Sequence, residues 1–333
     1  MGVEIFFVLS GYLIGGILYR LVVTQQQGGR RLGYFLIRRW FRTLPNYYLV
    51  LLINIGLWIF LGRQLPENWT HYFLFLQNAF SGMPIFFTES WSLPIEEFAY
   101  VIGPMLLYLF ILIGGKKNRK AVFIWVTSLI ILFFTATKIW YNQVQVPNDL
   151  EYWNIELKAV VLYRIDAIYY GVLFAFISRQ FSRQWNNLKE KSLMAGVLLF
   201  VGLQTAVVVL GLNPVDHSFL FNVLYLPVCS LSVALSLPWF SSLERVPRPW
   251  LGWVTWISLI SYSMYLLHYS IVLQLMRVYL TPSDPGYLTG LLLGLLYLLL
   301  TTGLSYLLYR FYEKPMMDLR DRPLVRRIFG IKN

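Results

Sequence analysis

Nine apolar stretches constrain this chain more than any other feature, because each is close to the roughly 20 helical residues needed to cross a hydrocarbon core of about 30 Å. They lie near residues 3–20, 43–62, 93–113, 121–140, 159–178, 193–212, 218–238, 254–277 and 287–309. Within a bilayer every backbone amide must be satisfied by the protein itself, so only helices and closed barrels span it. The stretches are rich in Leu, Ile, Val, Phe and Tyr without sustained alternation, which is not the period-two pattern of barrel strands. The fold class expected is therefore all-α, a polytopic transmembrane helical bundle. Composition agrees, with 57% hydrophobic and 13% charged residues against roughly 45–50% and about 25% in soluble domains. The apolar segment 71–80 is too short to span and is expected as an interfacial or re-entrant helix.

A net charge of +12 could suggest a nucleic-acid partner, but its placement follows the spans. The loops 20–42, 114–120, 179–192 and 239–253, with the tail from 310, hold 23 Lys or Arg against 5 Asp or Glu. The alternate loops, 63–92, 138–158, 213–217 and 277–286, hold 4 against 7. This is a positive-inside pattern, which assigns the first set and the C-terminus to the cytoplasm and removes the case for nucleic acid. It also puts residue 1 outside, two residues before an apolar run that holds Glu4. A further helix upstream would restore a cytoplasmic start and make ten spans, so the sequence is expected to be a fragment or to begin at an internal methionine. One membrane domain, 1–315, accounts for the chain, and the basic tail 316–333 is expected to lie on anionic lipid. A single cysteine, Cys229, and three histidines leave no basis for a disulfide framework or a metal site.

Ionised groups at mid-membrane cost about 2.5–3.5 kcal/mol on insertion scales, so function is sought among them. In RRWFRTLPNYY, Arg39 and Arg42 lie three apart on one helical face, and Arg38 and Arg42 four apart. Such guanidinium groups either anchor the cytoplasmic mouth of the second span or grip phosphate oxygens of a nucleotide-bearing donor such as coenzyme A. In ESWSLPIEEFAY, Glu96 and Glu97 are adjacent at the outer start of the third span, where joint ionisation is disfavoured and one can serve as acid or base. Helix N-terminal stabilisation explains the acids equally well, and Trp91 suits an interfacial aromatic belt. In LYRIDAIYYG, Arg164 and Asp166 are two apart and each needs a partner from another helix, Glu96 or Glu97 being the expected partner of Arg164. In ISYSMYLLHYSI, His268 has Tyr265 three residues before it, a hydroxyl placed to orient an imidazole base or a packing hydrogen bond.

Taken together these motifs resemble the integral-membrane acyltransferase family 3. The matches run in order: GVEIFFVLSGYLIGG at 2–16, RRWFRTLPNYY at 38–48, WSLPIEEFAY at 91–100, YRIDAIYYG at 163–171, ISYSMYLLHYS at 260–270 and RFYEKP at 310–315. The resemblance implies O-acyl transfer, most often acetyl, from cytoplasmic acyl-CoA to a hydroxyl of a cell-envelope glycan or glycolipid, in a bacterial cytoplasmic membrane. It implies that Arg39 and Arg42, with Arg38, handle the donor. Glu96, Glu97, Arg164, Asp166 and His268 carry or support the chemistry, and Trp91, Ser92 and Tyr265 line the substrate cavity. The family's catalytic histidine sits on a helix that precedes position 1, so this chain is also expected to lack that base. A transporter or flippase of an anionic lipid or sugar uses similar intramembrane charges but more often shows symmetric halves. An inactive remnant is the third reading.

Overall fold

The computed structural model describes residues 2–25, 29–114, 118–145, 149–243, 248–280, 282 and 286–320. The apolar runs become helices because each can satisfy its own backbone without water. Among the described residues the principal helices are α1 (Gly2–Tyr19), α2 (Gly29–Phe60), α3 (Ser92–Gly114), α4 (Arg119–Val144), α5 (Ile165–Gln180), α6 (Lys189–Val209), α7 (Leu226–Phe240), α8 (Arg248–Leu267) and α9 (Tyr287–Leu308). With their π-helical extensions, eight of these segments are long and apolar enough to cross a membrane. The all-α bundle expected from the sequence is therefore what forms. The protein is an integral membrane protein.

Two expected elements take a different form. The fifth stretch yields α5, a helix of 16 residues, about 24 Å long at 1.5 Å per residue. Its first part is instead a 3-10 turn, Val161–Tyr163, that leads to Arg164 at the helix entrance. Segment 71–80 is not one helix. A 3-10 helix covers Trp69–Leu74 and stops where Phe75 turns left-handed at φ 58°. Of the tail, residues 321–333 lie outside the described residues, while Lys314–Arg320 is helical.

The chain divides into two compact units. The first comprises Met1–Gly28, Asn78–Met83 and Ser92–Glu244. Its centre is the crossing of α1 with α5, where a Cβ added at Gly11 would fall 1.8 Å from the Ile168 carbonyl oxygen and one at Gly171 would fall 2.0 Å from that of Val8. Small residues allow such backbone approach, and in lipid this packing replaces the hydrophobic drive. Contacts pair Gly11 with Ile168 and Gly171, and Gly15 with Val172 and Ala175, so the two helices run parallel with their N-termini at one end. The second unit comprises Gly29–Gln77, Pro84–Trp91 and Arg245–Asn333. In it α8 packs on α9 and α2 packs on the helix Lys314–Arg320.

Candidate functional site

In the first unit, parallel packing of α1 and α5 brings together Glu4, in the first turn of α1, and Arg164, the residue that caps the start of α5. Arg164 is fully buried, and its Nη2 donates to Glu4 Oε1 in an ion pair. Glu4 Oε2 accepts from Ser230 Oγ on α7 at 3.1 Å. In the first turn of α5, Asp166 is ion-paired with Lys138 of α4, both buried. Lys138 also lies within electrostatic reach of Arg164 and Glu4, so the four form one tetrad of two cations and two anions. A carboxylate at a helix N-terminus gains from the helix dipole, which suits Asp166 to its place. Pairing matters more, since removing one member of a buried pair typically costs about 3–5 kcal/mol. Among the described residues Arg164 is only partly used: Nε and Nη1 are buried with no hydrogen-bond partner there, as is Asp166 Oδ1.

The expected pairing of Arg164 with Glu96 or Glu97 is corrected by this geometry, because the glycine crossing delivers Glu4 first. Glu96, also buried, is instead held by neutral donors. Ser10 Oγ donates to Oε1 at 2.8 Å, and the Tyr100 hydroxyl donates to the same oxygen and contacts Ser10 Oγ. Glu97 is half-buried and Ser92 buried. Beyond the spanning segments, Lys158 donates to Asn154 Oδ1 at 3.0 Å. Burial first, and then the charge of Arg164, pulls its ammonium below the ordinary lysine range.

In the second unit, Arg38 and Arg42 are exposed and Arg39 half-buried along α2. The Arg38 guanidinium stands 5.7 Å from the Tyr34 ring centroid. One turn beyond Arg42, Asn46 is buried and donates through Nδ2 to Glu313 Oε2 at 2.7 Å. Ser263 Oγ of α8 donates to the same oxygen at 2.6 Å, and Arg42 is within electrostatic reach of Glu313. Five residues beyond Ser263, α8 passes into a π-helix, His268–Leu273. There His268 Nδ1 meets the Tyr265 carbonyl oxygen at 2.8 Å. A carbonyl can only accept, so Nδ1 carries the proton and Nε2 of the neutral ring keeps its lone pair. The expected role of the Tyr265 hydroxyl as the orienting group is thus taken by that residue's backbone. The hydroxyl itself donates to the carbonyl oxygen of Glu89. Trp91 is half-buried in the same Thr88–Trp91 turn.

Sequence reasoning missed several of these residues. Lys138 is counted among loop charges because the loop is taken from 138, although a lysine inside the apolar run 121–140 is itself a signal. Glu4, Glu89 and Glu313 each sit at an end of an apolar run, and Ser10, Asn46, Ser230 and Ser263 carry no charge to mark them. Among the described residues no group of three or more His, Cys, Asp or Glu side chains could hold a metal ion.

The profile of a family described as an acyltransferase domain matches residues 1–310. The chain is 26% identical to the peptidoglycan O-acetyltransferase OatA of Listeria monocytogenes, across all of this chain and 53% of that protein. It is also 26% identical to the putative peptidoglycan O-acetyltransferase YrhL of Bacillus subtilis, across 99% of this chain and 52% of the relative. A putative O-acetyltransferase of Staphylococcus aureus is 25% identical over 95% of this chain and 52% of its own length. The chain thus spans about half the length of the curated relatives it matches. No solved structure matches it.

Proposed function

From the premise that this chain belongs to the acyltransferase family whose domain profile it matches, we propose that it is a membrane O-acetyltransferase that moves an acetyl group from cytoplasmic acetyl-CoA to a hydroxyl of a cell-envelope glycan. The observation that carries the reading is the set of ionic and polar side chains buried inside an apolar bundle, Arg164, Glu4, Lys138, Asp166 and Glu96 foremost. Such groups are costly in lipid unless they serve a polar pathway or partner. Relatives named as peptidoglycan O-acetyltransferases support the acceptor class.

The donor is assigned to α2, where Arg38, Arg39 and Arg42 supply guanidinium groups of the kind that bind phosphate oxygens in pairs. The charge pattern of the loops supports putting these arginines and the C-terminus on the cytoplasmic side. Within the first unit, Arg164 Nε and Nη1, which have no hydrogen-bond partner among the described residues, are donors of the kind that stabilise a developing negative charge. His268, with its Nε2 lone pair, supports movement of the acceptor's proton. Residues 1–315 are treated as one acyltransferase domain, with 316–333 as its tail.

The test is to incubate acetyl-labelled acetyl-CoA with inverted membrane vesicles that contain the protein, then extract the glycan fraction. Label in the glycan as alkali-labile ester supports the reading. Label that stays on acetyl-CoA while an anionic lipid or sugar crosses the vesicle membrane would replace it with transport.

A further inference from the structure

Glu89 is 94% buried, at 6% exposure, in the short turn Thr88–Trp91 of the second unit. A carboxylate placed so deep needs donors, and its two oxygens are treated differently. Oε1 accepts the backbone N–H of Ser270 at 3.0 Å and the Ser270 hydroxyl at 2.5 Å. Oε2 is buried and has no hydrogen-bond partner among the described residues. The Ser270 amide lies in the π-helix His268–Leu273. Such wide turns disturb the regular helical hydrogen-bond ladder and recur at functional sites.

The carboxylate is also aimed. Ser270 grips it through Oε1, and the Tyr265 hydroxyl donates to the carbonyl oxygen of Glu89 itself. The Thr88–Trp91 turn is thereby fastened to α8 and its extension at two points that flank His268. Two bonds to one serine fix the plane of the carboxylate and leave Oε2 as the unused acceptor. On the loop charge pattern, this end of the third span faces away from the cytoplasm, where a glycan acceptor waits.

We propose that Glu89 is the group that receives the acceptor: its Oε2 accepts the hydrogen bond of the sugar hydroxyl and then its proton. The inference rests on the acetyl-transfer reading and assigns a residue to its acceptor half. As the hydroxyl oxygen forms a bond to the acetyl carbonyl carbon, the proton passes to Glu89 and the carbon–sulfur bond of the thioester breaks. The coenzyme A thiolate leaves with the electron pair. The proton then passes from Glu89 through water to the thiolate, so one alcohol and one thioester give one ester and one thiol.

The test is Glu89→Gln in the full chain, reconstituted in liposomes, with labelled acetyl-CoA and two nucleophiles, a soluble N-acetylglucosamine oligomer and hydroxylamine. Glutamine keeps an acceptor for Ser270 but replaces Oε2 with an amide that cannot take a proton. Hydroxylamine attacks as the neutral amine without prior proton removal. Transfer to the sugar should fall on the order of 100-fold or more, within the usual range for a lost base, while the variant keeps transfer to hydroxylamine and its melting temperature. Sugar transfer at the wild-type rate overturns the proposal, and so does a matching loss with both nucleophiles or a large drop in melting temperature, each of which makes Glu89 a structural clamp. If His268→Gln removes sugar transfer and Glu89→Gln does not, the base is His268. Wild-type protein that acetylates neither nucleophile removes the transferase reading, and this inference goes with it.

Discussion

Replacing Gly171 by alanine adds one carbon where the α1–α5 crossing has no room for it. The new Cβ would lie 2.0 Å from the Val8 carbonyl oxygen and 2.6 Å from the Tyr12 nitrogen. Even a close carbon–oxygen contact needs about 3.3 Å, so the helices must part by about 1.3 Å. Backbone atoms cannot rotate aside as a side chain can, and overpacking of this kind costs about 1–3 kcal/mol. The parting also acts on Arg164 and Glu4, whose ion pair depends on the same parallel alignment. At roughly 2 °C per kcal/mol for a large chain, melting in detergent should fall by several degrees, with acetyl transfer falling further because the tetrad is displaced. Gly202→Ala is the control, since nothing lies within 4 Å of a Cβ there and alanine gains about 1 kcal/mol of helix propensity over glycine. Equal melting and equal activity in the two variants would refute the argument that this crossing positions the tetrad.

Three further outcomes follow from the same geometry. Lys138→Met should destabilise the protein by about 3–5 kcal/mol by stranding Asp166, and the double change with Asp166→Leu should recover most of the loss, as read by thermal melting of both variants. Arg39→Ala with Arg42→Ala should raise KM for acetyl-CoA far more than KM for the acceptor, and equal changes in both would count against a donor role for α2. Lys158 titrates below the ordinary lysine range in the folded protein, so between its folded and unfolded values the unfolded chain binds more protons. Stability contributed there rises with pH. Lys158→Met should therefore melt above wild type near neutral pH, with the gap narrowing toward pH 10, and a gap that widens would reverse the assignment.

The bundle is legible in the sequence because bilayer thickness fixes the length of an apolar run, and the family motifs fall at the ends of those runs. Burial of Arg164 and Asp166 is legible for the same reason, since a charge within such a run must be enclosed. The partner of Arg164 is not, because it depends on how closely α1 and α5 approach, and that follows from Gly11 and Gly171 facing each other across two distant segments. Lys138 is obscured by the boundary of its span. Glu89 is obscured differently: its role depends on an amide within a π-helix, and no pattern of residue types in ISYSMYLLHYSI marks that irregular turn.

Because the tetrad of the first unit pairs each cation with an anion, it carries no net electrical load. A resting potential does work of about 2.3 kcal/mol per elementary charge per 100 mV, but a neutral group shifted as a whole offers the field nothing to act on. Energised and de-energised cells would thus leave the α1–α5 crossing equally at rest, and any voltage sensitivity of this protein must originate in charges elsewhere in the chain.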